Sequence, residues 1–174
     1  MPQHYLEFTP PLKIALICDW YHPRLGGIET HLGDLARQLS AQGHEVQVIT
    51  STPGEAPGKA LEEDEEFGLR LHRLQTPLCP KFGVAISPRA ISRIKEITVQ
   101  ENYDIVHAHI SLVAPVGWAG AYWGQKLGLP TVMTFHSRLA WFAKVLGGLD
   151  GLLHWRRWPV VFSSVSRVLA AEVQ

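Results

Sequence analysis

The stretch that decides the fold is residues 13–50, KIALICDWYHPRLGGIETHLGDLARQLSAQGHEVQVIT. It begins with an uncharged apolar run, residues 14–18, which is typical of a strand buried on both faces of a parallel sheet. Asp19 ends the run, and a loop that contains the pair Gly26 and Gly27 follows it. A short buried strand that leads into a glycine-containing loop is the usual beginning of a strand–helix–strand unit.

The helix and the second strand complete that unit. Side chains of one helical face recur every three or four positions up to Gly43, at Ile28, His31, Leu32, Leu35, Ala36 and Leu39. Residues 46–49 then predict a second strand. The connection should be right-handed, which places the amino terminus of the helix at the carboxyl end of the sheet. Ligands of such sheets bind at that end.

Composition limits the classes of function. The 174 residues suffice for about one domain, and 16 acidic against 16 basic residues give no support to nucleic-acid binding. Cys18 and Cys79 predict reduced thiols in a cytoplasmic protein and not a disulfide framework. Residues 1–11 lack the pattern of a signal peptide and predict a disordered leader to one domain at 12–174. No stretch reaches the ~20 apolar residues of a membrane span.

The next part of the chain departs from this regular pattern. Residues 51–67 are rich in proline, glycine and acidic side chains, and they predict a surface loop. The acidic run at 62–66 is interpreted as solvated, with a cation site as the alternative. Residues 68–74 alternate between apolar and polar side chains, which predicts a half-exposed strand near a sheet edge.

Strands and helices then alternate to the end of the chain. We predict helices at 88–100, 112–127 and 138–158 and from Ser166 onward, and strands at 103–109, 131–135 and 160–164, the second of them buried. This order predicts an α/β fold, a doubly wound, mainly parallel, Rossmann-like sheet of six or seven strands with helices on both faces.

The glycine pair is the first candidate site. Glycine lets a ligand approach the backbone closely, and the first N–H groups of a helix attract anions, so Gly26 and Gly27 predict a diphosphate site. The alternative is a tight turn that needs positive φ. Neither GxGxxG after the first strand nor GxxxxGK[ST] occurs, which disfavours a nicotinamide cofactor and a P-loop triphosphate.

Three histidines form the second candidate site. His107 and His109 lie two apart and share one face of a predicted strand, and His136 ends another strand, before Ser137 and Arg138. These strand ends should meet at the same rim as the glycine pair. A zinc pair is conceivable, but hydrogen-bonded histidines fit better because no cysteine is near. An imidazole there could donate to a phosphate or sugar oxygen, or act as a general acid or base.

The predicted helix at 138–158 mixes aromatic and leucine side chains with four basic residues. Such a segment could lie on an anionic membrane surface. Packing on the sheet with a basic outer face is an equally good interpretation.

Four segments together resemble a known family. They are residues 19–50, 103–111, 128–137 and 163–173, in the family's order and spacing. The chain resembles the N-terminal half of the family 4 (group 1) retaining glycosyltransferases with the GT-B fold, a group that includes phosphatidylinositol glycan and mannosyl transferases. The resemblance implies one half of a GT-B fold, a cytoplasmic location with optional peripheral contact at the inner face of the membrane, and a nucleoside-diphosphate sugar as donor. It implies no separate cofactor and no metal.

The resemblance also implies roles for individual residues. Gly26 and Gly27 correspond to the loop that packs on the donor's diphosphate, and His136 to a histidine at the reaction centre. His109 corresponds to a strand histidine that faces the cleft, and we expect Ser137 and Arg138 to assist substrate or phosphate binding. The acceptor would be a hydroxyl of a glycan or a lipid.

The family's second domain, which grips the nucleotide sugar and carries paired glutamates, has no counterpart in residues 1–174. The resemblance therefore implies an excised domain, a truncated product or a half-enzyme with a partner chain, and little transfer by this chain alone. Two other hypotheses stay open at this point. One is a non-catalytic sugar- or anion-binding module, and the other is a metal-dependent hydrolase built on His107, His109 and His136.

Overall fold

A computed structural model describes residues 10–54, 61–64, 69–79 and 83–136, with the backbone alone for 61–64. The predicted leader, apart from its last two residues, lies outside these ranges, as do Ser137, Arg138 and every element predicted after them. The described elements, in chain order, are β1 (Lys13–Cys18), α1 (Gly27–Ala41), β2 (Glu45–Thr50), β3 (Leu61–Asp64), β4 (Leu69–Arg73), β5 (Leu78–Cys79), β6 (Val84–Ala85), α2 (Pro88–Glu101), β7 (Ile105–Ile110), α3 (Pro115–Lys126) and β8 (Thr131–Phe135).

The main sheet has six strands in the order β3-β4-β2-β1-β7-β8 among the described residues. Only β3 runs antiparallel; the other neighbouring pairs are parallel. β1 lies in the middle, between β2 and β7, as its uncharged sequence predicts. The predicted doubly wound, mainly parallel α/β fold is therefore confirmed.

Helices cover both faces of the sheet because alternate residues of β1 point to opposite sides. Leu16 and Cys18 pack in one core with Leu32 and Ala36 of α1. Ala15 and Ile17 point to the other core, which the following members share: Ile49, Ile94 and Ile97 of α2, Val106, and Val116 and Ala119 of α3.

Helix α3 lies unusually close to the sheet because glycines form its contact face. A Cβ on Gly120 would lie 2.7 Å from Ile17 Cγ2, and one on Gly124 would lie 2.5 Å from Thr131 Oγ1. A Cβ on Gly117 would collide with the carbonyl oxygen of His109. The small residues of the 115–126 segment thus set the distance between helix and strands.

Two sequence predictions on one side of the sheet are wrong. The predicted loop at 51–67 contains β3, which pairs with β4 and forms the edge. β4 is therefore second from the edge, and only Arg70 of its side chains is exposed. Its polar residues are buried because they find partners: His72 Nε2 lies 2.7 Å from Gln47 Oε1, and Arg73 donates to the carbonyls of His22 and Thr52.

Two further details differ from the predictions. β5 and β6 form a hairpin with two residues in each strand, which is too short to show a periodicity in the sequence. β8 was expected to be buried, but Val132 and Met133 are 49% and 38% exposed. The reason is that β8 ends the described sheet, and of the described helices only α3 lies against it. Within the described ranges, no helix has both the length and the apolarity needed to cross a bilayer.

Candidate functional site

The carboxyl ends of β1, β7 and β8 bring together the start of α1 and the predicted histidines. Gly26 precedes α1 and Gly27 is its first residue. A Cβ on Gly27 would meet no atom of the described residues within 4 Å, so among these residues this side of the helix start is open. Gly26 is extended, with φ of 177°, and neither Gly26 nor Gly27 lies in the left-handed region of positive φ. The alternative of a turn that needs positive φ is therefore wrong, and an open helix amino terminus remains.

At Gly26, glycine is needed for a different, steric reason. A Cβ there would lie 2.5 Å from Glu29 Oε2, so glycine allows the buried Glu29 carboxylate to fold back over the loop. Glu29 Oε1 pairs with Arg24 Nε at 3.0 Å, and the Arg24 guanidinium lies over the Trp20 ring. Sequence analysis missed this pair, although an acidic residue in the first turn of a helix is a common stabilising signal. The pair brings a half-exposed guanidinium to the glycine loop.

The amino terminus of α3 is already occupied by a carboxylate of the protein. Asp19 Oδ1 accepts from the Val116 N–H at 3.2 Å and Oδ2 from the Gly117 N–H at 3.0 Å. Burial is the main cause that raises the pKa of Asp19 to about 6, partly offset by these two hydrogen bonds. Asp19 thus fills the anion position of α3, whereas the start of α1 has no side-chain cap hydrogen bond.

The structure brings the three predicted histidines together and adds a fourth. His107 Nε2 lies 2.8 Å from Thr134 Oγ1, and His109 Nδ1 lies 2.9 Å from His136 Nε2. The added residue is His31 of α1, whose ring centroid is 5.6 Å from that of His136 and 5.9 Å from that of His109. We call these four residues the histidine cluster.

His31 was counted in the sequence only as a position on the face of α1. Its place four residues after Gly27 was the available signal, because residues four apart share a helix face. The exposed His31 side chain therefore shares the helix face of Gly27, and the half-buried His136 and the buried His109 lie next to His31.

The histidine cluster is poor in positive charge at neutral pH. Burial, followed by the neighbouring His107, His136 and His31, lowers the pKa of His109 to about 2. Burial also lowers the pKa values of His107 and His136. Neutral imidazoles can each donate one hydrogen bond and accept one, so the rings of His107, His109 and His136 have the chemistry to hydrogen-bond oxygen atoms.

A metal centre finds no support in the described part of the chain. There, no group of three or more His, Cys, Asp and Glu side chains is placed to hold a metal ion. A catalytic zinc site uses three protein ligands, so the hypothesis of a metal-dependent hydrolase lacks its ligand set among these residues.

Comparison with known proteins identifies the family. The profile of glycosyltransferase family 4 matches residues 25–171, which include the glycine pair and the histidine cluster. The chain belongs to glycosyltransferase family 4, as the resemblance of its four segments predicted.

Curated relatives support the same assignment. A GDP-mannose-dependent alpha-mannosyltransferase of Mycolicibacterium smegmatis is 27% identical over 162 residues, which cover 91% of this chain and 42% of the relative. The phosphatidylinositol N-acetylglucosaminyltransferase GPI3 subunit of Saccharomyces cerevisiae is 32% identical, over 72% of this chain and 27% of the relative. The alpha-monoglucosyldiacylglycerol synthase of Streptococcus pneumoniae is 26% identical, over 73% and 27%. The chain thus spans less than half the length of these relatives.

A solved structure supports the fold. Sucrose-phosphate synthase from Thermosynechococcus elongatus aligns with a TM-score of 0.52 and 19% identity, over 76% of this chain and 35% of that protein. At this identity the likeness concerns the Rossmann-like α/β fold alone.

Proposed function

We propose that this chain is the acceptor-side, N-terminal domain of a retaining glycosyltransferase, one half of a GT-B fold, that transfers a hexose-type unit from a nucleoside-diphosphate sugar to a hydroxyl acceptor. The observation that carries the proposal is the open start of α1 at Gly27 beside His31 and His136, within a chain of glycosyltransferase family 4. This arrangement offers N–H groups to a diphosphate and imidazoles to neighbouring oxygens.

The diphosphate would bind at the start of α1. The first N–H groups of the helix have no acceptor within it, and the helix dipole favours negative charge there. Gly27 leaves the approach open, and Arg24 adds a guanidinium that already compensates the Glu29 carboxylate. Asp19 occupies the equivalent position of α3, so that helix start is not available to the diphosphate.

His136 would contact the reacting oxygens, with His109 beneath it. His136 ends β8, where its backbone N–H donates to the Ile110 carbonyl at 2.9 Å and thereby fixes the position of the residue. A preorganised donor at this position stabilises charge that develops on a phosphate or sugar oxygen in the transition state. Ser137 and Arg138 follow directly in sequence, and we propose that they assist substrate binding.

A second domain would complete the enzyme. Because the chain spans less than half of its relatives, we propose that a C-terminal donor-binding domain, on the same polypeptide or on a partner, grips the nucleotide. The names of the relatives suggest GDP-mannose as the first donor to test and a phosphatidylinositol lipid as the first acceptor. A lipid-linked acceptor would agree with a cytoplasmic protein in peripheral contact with the inner face of the membrane, and a soluble glycan is the other acceptor class.

The test compares GDP-mannose binding by the chain joined to a donor-binding domain and by the Gly27→Ala and Gly27→Val variants of that protein, measured by calorimetry and by chemical-shift titration. An added Cβ meets no atom of the described residues within 4 Å but would enter the space proposed for the diphosphate. We expect Gly27→Val to weaken binding about 10-fold or more, equivalent to about 1.4 kcal/mol, while the thermal midpoint stays level. The Arg37→Ala variant, on an exposed part of α1, is the control and should bind as the wild type does.

Transfer itself is measured after the chain is joined to a donor-binding domain, with GDP-mannose and a phosphatidylinositol lipid. We expect the joined protein to form product. His136→Ala should lower the rate of transfer by about 10²-fold or more, which is the usual effect of removing one preorganised hydrogen-bond donor. Binding that the Gly27 variants leave unchanged would refute the proposed diphosphate position. Ligand binding without any transfer would favour the non-catalytic binding module.

A further inference from the structure

The histidine cluster contains a hydrogen bond between two imidazoles. His109 Nδ1 and His136 Nε2 are 2.9 Å apart, and the two ring planes differ by 18°. One of these nitrogens must carry the shared proton and the other must offer a lone pair. Two arrangements are therefore possible for a pair of neutral rings, and they leave opposite groups on the outer nitrogen of His136.

The second ring nitrogen of His109 distinguishes the two arrangements. His109 is 2% exposed, and its Nε2 has no hydrogen-bond partner among the residues that the structure describes. If His109 donates from Nδ1, its Nε2 is a bare lone pair. If His109 accepts at Nδ1, its Nε2 carries a buried N–H without an acceptor. Buried N–H groups without partners are the rarer case in proteins, so the first arrangement is favoured.

We propose that His109 is a positioning residue that holds His136 as the neutral tautomer protonated at Nδ1. In this arrangement the Nδ1–H of His109 donates to Nε2 of His136, and the remaining proton of His136 is on its Nδ1. His136 then offers a hydrogen-bond donor, and not a base, to a substrate oxygen. The tautomers are a property of this chain, whereas their bearing on sugar transfer rests on the proposed function.

The surroundings of the pair keep both rings neutral. The rings that face His109 are His107 of the same strand, 4.3 Å away between centroids, and His31 of α1 at 5.9 Å. The groups that influence the pKa of His109 are these two and His136, none of them acidic, and burial is the largest cause that lowers it. A second proton on His136 at Nε2 would force His109 to move its own proton to the partnerless Nε2.

The test is nitrogen NMR of the 174-residue chain with ¹⁵N-labelled histidine at neutral pH. Long-range ¹H–¹⁵N correlations distinguish rings protonated at Nδ1 from rings protonated at Nε2, and single His→Gln variants at 31, 107 and 136 assign the signals. We expect both His109 and His136 to be protonated at Nδ1. A proton on Nε2 of either ring would overturn the proposal.

Two isosteric variants provide a matched comparison. The side-chain amide of His109→Asn keeps an N–H donor near the position of Nδ1, so His136 should stay protonated at Nδ1. The carboxylate of His109→Asp can only accept, so His136 should move its proton to Nε2 and its pKa should rise by about 1–3. An unchanged His136 tautomer in a folded His109→Asp chain would contradict the proposal. If that variant does not fold, the wild-type and His109→Asn spectra decide alone.

These results are separable from those on the proposed function. Nδ1 tautomers together with no sugar transfer after the chain is joined to a donor-binding domain would refute the proposed function and leave the positioning role of His109 in place. GDP-mannose binding with the opposite tautomers would refute the positioning role alone.

Discussion

Replacing Asp19 by asparagine should make the chain more stable at neutral pH, although Asp19 caps α3. The Asp19 carboxyl is buried, and its pKa is raised from 3.8 to about 6 in the folded chain, mainly by burial. A raised folded pKa means that the fold disfavours ionisation. The stability that the protonated carboxyl supports is therefore complete below pH 3.8 and is lost as the pH rises through 6.

The magnitude follows from the two pKa values. The folded and unfolded pKa values differ by about 2, and each pKa unit is equivalent to about 1.36 kcal/mol. The stability that Asp19 supports should therefore fall by about 3 kcal/mol between pH 3.5 and pH 7. The amide of Asp19→Asn is neutral throughout and, like the protonated carboxyl, can accept from only one of the Val116 and Gly117 N–H groups at a time. The two chains should therefore be nearly equal in stability at low pH, and the variant should lead by about 3 kcal/mol at pH 7.

The assay is urea unfolding of both chains at several pH values between 3.5 and 7.5, followed by circular dichroism. The informative quantity is the difference between the two free energies of unfolding, because all other residues are the same in both chains. Asp34→Asn is the control: the Asp34 carboxylate is exposed and pairs with Arg37 on the surface, so its removal should cost less than about 1 kcal/mol. A variant that loses more stability at pH 7 than at pH 3.5 would show that the charged cap stabilises the fold, and would refute the reasoning.

Two further predictions concern packing and acid stability. Gly120→Ala should destabilise the chain by about 1–3 kcal/mol because the new Cβ would lie 2.7 Å from a β1 side chain, whereas Gly27→Ala should not destabilise it; thermal unfolding of the two alanine variants checks this contrast. His109 is held neutral by a pKa lowered to about 2, so the stability it supports is complete above pH 6.5 and is lost as the pH falls. Between pH 6.5 and 5, His109→Asn should lose about 1 kcal/mol less stability per pH unit than the wild type in urea unfolding, and parallel curves would contradict this.

The sequence predicted the elements whose signals are local. The segment from Lys13 to Thr50 formed the expected strand, helix and strand because hydrophobic period and glycine placement are properties of neighbouring residues. β3 and the burial of β4 were missed because the decisive interaction is a pairing between strands. The composition of Leu61–Asp64 is that of a loop, and it forms a strand because it pairs with Leu69–Arg73.

In the candidate site, too, the residues with local sequence signals were predicted and those that depend on distant parts of the chain were not. His107, His109 and His136 could be expected at one rim because parallel strands end together, and the structure places them there. His31 was not expected there, because a polar residue on a helix normally faces water and its spacing of four residues from Gly27 was the one signal of its position. Asp19 was missed as a cap because the backbone N–H groups that it binds belong to residues 97 and 98 positions further along the chain.

The close contact of α3 with the sheet has a consequence for how genetic variants of this chain are interpreted. Gly117 has no functional group, yet any side chain there would press on the backbone carbonyl of His109, the residue whose ring is bonded to His136. A substitution at Gly117 would thus displace the imidazole pair from a distance, and if the proposed function is right it would have the same effect as loss of His136 in an activity screen. Mutational maps of this protein should treat that glycine as an extension of the histidine cluster.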